Sequence, residues 1–168
     1  MAMTRCWLIL AALAFWGITP ALPQPPDAGR RFVEAAYASA LFQARISGIA
    51  AAKDVRPGIK ALAERVRDFR KAQLPELAQL AKASGVEVHD TLDRELRSIV
   101  ENIEPLDYLA LSRRYAEVET QALEKEINAY EDVARAGPQP VQDYAAATLE
   151  KLRELRKAAK DGLAAVAP

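Results

Sequence analysis

Residues 111–136, LSRRYAEVETQALEKEINAYEDVARA, decide the fold. Ala116, Thr120, Leu123, Ile127, Tyr130 and Ala134 recur at alternating four- and three-residue steps, with Leu109 about two turns before them. That repeat puts them on one stripe of a helix. The spacing predicts a long helix from Pro105 to Ala136, with an inner stripe unbroken by charge. Its acids, Glu117, Glu119, Glu124, Glu126, Glu131 and Asp132, are read as a solvated face, with Glu126 in weak surface pairing near Lys125 and Arg135.

The same signal extends in both directions. The segment GPQP (137–140) stops this helix, and a last one follows with Val141, Ala145, Thr148, Leu152, Leu155, Ala159 and Val166 inward. Towards the N-terminus, Asp27 is read as the cap of a first helix beginning near Gly29 and ending near Lys53. Phe32, Val33, Tyr37, Leu41, Phe42, Ile46 and Ile49 form its broad apolar face. Asp54 and Pro57 restart the chain as a second helix, with Ile59, Leu62, Val66, Phe69, Leu77 and Leu80 inward and a kink expected where Pro75 removes a hydrogen bond. That helix runs towards Ser84, with Gly85 as its C-cap. VEVHDTLDRELRSIVENIEP (86–105) then reads as a connection and a short helix capped by Asp90 or Thr91, with Leu92, Leu96, Ile99 and Ile103 inward. Strand-like alternation is missing. The expected fold is all-α, an antiparallel four-helix bundle with a short additional helix in the central crossover.

The first 26 residues, MAMTRCWLILAALAFWGITPALPQPP, place Arg5 before an apolar run from Cys6 to Ile18, then small residues and prolines. This is the pattern of a secretory signal, shorter than the roughly 20 apolar residues of a transmembrane helix. Cleavage is expected after Ala21, with residues 1–21 as signal, 22–28 as a proline-rich leader and 29–168 as the bundle domain; an uncleaved N-terminal anchor is the other reading of the same run. The protein is accordingly expected in the periplasm or outside the cell, with no integral span once the signal is removed. Cys6, Trp7, Trp16, Met1 and Met3 all leave with it, so the mature chain holds no Cys, Trp or Met and must be stabilised by apolar burial without disulfides.

Composition excludes much chemistry. With 23 Lys plus Arg against 23 Asp plus Glu, the formal charge is zero, and no nucleic-acid partner is expected. One Cys and one His cannot build a thiolate zinc site or a paired-imidazole site within one subunit. His89, beside Glu87 and Asp90, is either a titrating or metal-binding group or a solvated loop residue, and the second reading is preferred. A GxSxG stretch and a glycine-rich phosphate loop are both missing. Lys151, Arg153, Arg156, Lys157 and Lys160 are interrupted by Glu150, Glu154 and Asp161 and read as a solvated face. Tyr37, Tyr108, Tyr115, Tyr130 and Tyr144 are weighed as radical sites or ligand lids and read instead as core-edge residues with their hydroxyls in water.

Four stretches, FVEAAYASALFQARISGIAA (32–51), ERVRDFRKAQLPELAQLAKASGV (64–86), LSRRYAEVETQALEKEINAYEDVA (111–134) and AAATLEKLRELRKAA (145–159), resemble in order and spacing the exported bacterial family called domain of unknown function 4142. The resemblance covers about Asp27 to Leu163 and implies a ferritin-like helical bundle. The family pattern carries a Glu in its first helix and single histidines in the other three long helices. Alignment places these at Gln43, Phe69, Leu123 and Leu155, with Phe69 following the retained Asp68 of an Asp-His pair. If the family residues bind metal, this member is expected not to; if they are structural, the exchange says nothing of function. The expectation is therefore an exported, non-catalytic bundle of the cell envelope with no catalytic, cofactor or metal residues, whose partner is an envelope protein or a second copy. The alternative is a ferritin-like metal-binding protein or oxidase.

Overall fold

In the computed structural model, which describes residues 26–167, the chain is all-α, with five helices among the described residues. They are α1 (Pro26–Ala52), α2 (Pro57–Ala83), α3 (Arg94–Ile103), α4 (Tyr108–Ala136) and α5 (Val141–Val166). The signal segment, its cleavage after Ala21 and the prolines at 20, 23 and 25 lie outside the described residues. The four long helices form a bundle in which α1 packs on α2 and α4, and α5 packs on α4 and α2. The short α3 lies against α1 and α4. Among the described residues, no helix is long and apolar enough to cross a membrane.

Local chemistry explains the boundaries. α1 starts at Pro26, so Asp27 stands within its first turn instead of capping it. Pro57 occupies the first turn of α2, where its missing N–H has no intrahelical role. Pro75 lies inside α2, and helical structure continues through it. At the end of α2, Gly85 takes a left-handed φ of +64°, and the Val86 and Gly85 amides donate to the Ala81 and Lys82 carbonyls at 2.9 and 3.2 Å. This is the Schellman arrangement, which favours glycine at that one position. The cap of α3 is Asp93, not Asp90 or Thr91: its carboxylate accepts the Leu96 amide at 2.8 Å, three residues on. α4 begins at Tyr108, three residues later than the sequence predicts, and Leu109 is 47% exposed instead of inward. Gly137 closes α4, its amide 2.6 Å from the Val133 carbonyl, and a cis Gln139–Pro140 bond leads into α5.

The inner seams follow steps of three and four residues. On α1 the wholly or nearly buried positions include Val33, Ala36, Ala40, Gln43, Ser47 and Ala50. On α5, Ala145, Leu152, Leu155 and Ala159 are fully buried. Leu123 on α4 is fully buried as well, so Leu123 and Leu155 are core residues as the sequence predicts. Phe69 is not on the inner seam. It is half-buried, and the next residue, Arg70, takes the inward place.

Candidate functional site

Mid-bundle, the seam is polar. Arg70 on α2 is completely enclosed, as are Gln43 and Ser47 on α1 and Glu119 on α4; Gln73 and Glu126 are nearly so. The expectation that none of the α4 acids faces inward is thus corrected for Glu119 and Glu126. The other four acids do sit outside: Glu117 pairs with Arg113, Glu124 with Lys160, Glu131 with Arg153 and Asp132 with Arg135. Lys151 and Lys157 pair with Glu154 and Asp161, which fits the solvated reading of the basic face of α5.

Glu126 accepts both arms of the Arg70 guanidinium, Nη1 to Oε1 at 3.0 Å and Nη2 to Oε2 at 2.5 Å. This is the planar, two-pronged geometry that a guanidinium offers and an ammonium does not. The remaining hydrogens of the two terminal nitrogens go to amide oxygens, Nη1 to Gln73 Oε1 at 2.5 Å and Nη2 to Gln43 Oε1 at 2.6 Å. Each amide passes the network on. Gln43 Nε2 donates to Glu126 Oε2 at 2.8 Å and to Ser39 Oγ at 2.9 Å, while Gln73 Nε2 donates to the Tyr130 hydroxyl at 3.2 Å. Beside them Ser47 Oγ and the Tyr115 hydroxyl share a hydrogen bond of 3.0 Å. One guanidinium therefore ties α1, α2 and α4 together.

The electrostatics are those of charges removed from water. Burial opposes the charge on Arg70, but Glu126 and Glu119 outweigh it and hold its pKa above the ordinary value. Burial pushes the Glu119 carboxyl up to about 8; Arg70 opposes that rise and Glu126 adds to it. Tyr115 and Tyr130 are raised well above the usual phenol value, first by burial and then by the negative charges of Glu119 and Glu126 respectively. Their hydroxyls are bonded inside the bundle and are not in water as the sequence predicts. Tyr37 is also mostly covered, and its hydroxyl donates to Asp90. Of the five tyrosines, Tyr108 alone is more than a third exposed.

A dinuclear metal centre in a helical bundle needs inward carboxylates together with Glu-x-x-His units. The interior supplies Glu119 and Glu126, two side-chain amides and no imidazole. His89 is exposed on the connection between α2 and α3, next to the Asp90 that takes the Tyr37 hydrogen bond. Both oxygens of Glu126 are already engaged by donors, and the cation against it is covalently part of the chain. These residues do not fit such a centre, and among the described residues no group of three or more His, Cys, Asp or Glu is placed to hold a metal ion.

Sequence reading missed Arg70, Gln73, Ser47, Glu119 and Glu126, and located Gln43 only through the family pattern. The signal was present: on α2, Val66, Arg70, Gln73 and Leu77 keep the four-three-four rhythm that Phe69 breaks. No curated protein and no solved structure matches the chain. Over residues 19–161 it matches the family described as "Domain of unknown function (DUF4142)", and the chain belongs to that family.

Proposed function

We propose that this chain is an exported, non-catalytic helical-bundle protein of the cell envelope with a binding or structural role. One observation carries the reading: Arg70 occupies the polar centre of the bundle, doubly bonded to Glu126. A fixed internal cation closes the charge of that carboxylate and engages both its oxygens, so the interior serves to lock helices in register. A metal-dependent oxidase would need that ligand sphere open. Export rests on the cation, apolar run and prolines of the first 26 residues. The ordinary charge balance favours protein contact, to an envelope component or a second copy, as the mode of action.

Elemental analysis of the purified protein after mild dialysis, with melting curves taken with and without chelator, tests the reading. Iron, manganese and zinc are expected well below one equivalent, and the two curves are expected to coincide. About one equivalent of tightly held metal, lost together with stability on chelation, would put the metal-binding or oxidase reading in its place. Intact-mass measurement tests export: the mature chain is expected to begin near residues 22–24, and full-length protein recovered from a membrane fraction would indicate an anchor.

A further inference from the structure

We propose that Glu119 is a buried proton-binding site, and that loss of its proton draws the Arg70 guanidinium from its present partners and loosens the joint between α1, α2 and α4. Glu119 is wholly enclosed, yet neither of its carboxyl oxygens finds a hydrogen-bond partner among the described residues. An ionised carboxylate left so would be far costlier than the neutral acid. Arg70 has five N–H donors, and four of them are spent on Glu126, Gln43 and Gln73. The fifth, on Nε, finds no acceptor among the described residues. A spare donor on the interior cation and a spare acceptor on the interior acid thus share one compartment.

Among the described residues, the cation that acts on the Glu119 carboxyl is Arg70. From α2 comes the Arg70 cation; α4 adds Glu126 and the Tyr115 phenol; the buried polar residues of α1, Gln43 and Ser47, are uncharged. All buried residues of α3 and α5 are apolar, and the partly buried Tyr144 of α5 lies against Tyr130. With its proton on, Glu119 is neutral and Arg70 serves Glu126 alone. With the proton off, two carboxylates compete for a single guanidinium. Its Nε–H reaches no acceptor among the described residues where it stands, so the rigid guanidinium must shift to bring that donor to Glu119, and bonds to Gln43, Gln73 or Glu126 lengthen as it does. The folded-state pKa of about 8 stands above the ordinary 4.5, so the stability contributed by the bound proton is complete below about 4.5 and is lost as pH rises to about 8.

Carbon-13 titration of the glutamate carboxyls, with the Arg70 Nε–H resonance followed in the same samples, tests the proposal. Wild-type protein is expected to show one carboxyl titrating with a midpoint near 8, and the Arg70 signal is expected to move with that same midpoint. Glu119→Gln, which keeps the shape of the neutral acid, is expected to lose both transitions and to melt at a temperature that no longer falls across that pH interval. Should Glu119→Gln fail to fold, the wild-type titration still decides. A Glu119 carboxyl with an ordinary midpoint, or an Arg70 signal indifferent to its ionisation, would overturn the proposal, as would a variant retaining the full wild-type pH profile.

Discussion

Arg70 and Glu126, fifty-six positions apart in the chain, meet inside the bundle through two hydrogen bonds of 2.5 and 3.0 Å. A pair so enclosed forfeits hydration on both sides, so its net contribution to stability is small against an apolar replacement. Its consequence is specificity. The guanidinium also binds Gln43 and Gln73, and a one-residue rotation of α2 would bring Phe69 inward and leave Glu126 without its cation.

Removing one member of the pair should therefore be much worse than removing both. Arg70→Met is expected to lose about 3 to 5 kcal/mol, because Glu126 is left buried and unpaired. The double change Arg70→Met with Glu126→Leu should recover a large part of that loss, with a coupling of about 1 to 3 kcal/mol in a double-mutant cycle. Reversible denaturation of the four proteins measures it, and strict additivity would mean that the two residues do not act together.

Leu123, fully buried one turn from Glu119, samples the apolar part of the same seam. Leu123→Ala is expected to cost about 2 to 5 kcal/mol through lost burial and a residual cavity. A loss below about 0.5 kcal/mol, the size of a surface change, would contradict the register of α4.

The bundle was legible because most inward positions are apolar and recur at helical spacing, and capping residues mark several of the ends. The polar centre was not, for a definite reason. Charged residues are almost never fully buried unless paired, so Glu119 and Glu126 read as a solvated face and Arg70 is passed over. For Arg70 and Glu126, the pairing that makes burial tolerable is a relation between α2 and α4, absent from either segment by itself. On α2 the apolar-only reading stepped from Val66 to Phe69 and lost one residue of register, where the buried series passes through Arg70 and Gln73. Leu109 erred in the opposite way, as an apolar residue in the first turn of α4 that reaches past the end of the core.

The turn after α2 isolates a backbone effect. A Cβ on Gly85 would meet nothing within 4 Å, so Gly85→Ala is resisted by its φ of +64° alone. The expected loss is about 1 to 2 kcal/mol, with Gly85→Asn milder because asparagine tolerates the left-handed region. Thermal melts of the two variants check the order, and an alanine variant as stable as wild type would contradict the Schellman turn.

Tyr37, within α1, offers an alkaline test. Its hydroxyl donates to Asp90 Oδ1 at 2.5 Å, tying α1 to the connection before α3. That bond to Asp90, then burial and the Asp90 charge, push the phenol up to about 12. A folded pKa above the ordinary 10 means that the phenol proton stabilises the fold fully below pH 10, and that this contribution is lost as pH rises towards about 12. Because Asp90 is exposed and remains accessible to water, Tyr37→Phe is expected to cost only about 0.5 to 1.5 kcal/mol at neutral pH. The gap between wild type and variant should close as the phenol ionises, and denaturation curves at neutral pH and above pH 10 measure it. A gap that stays constant over that interval would show that Tyr37 stabilises through its ring alone and that the link to Asp90 contributes nothing.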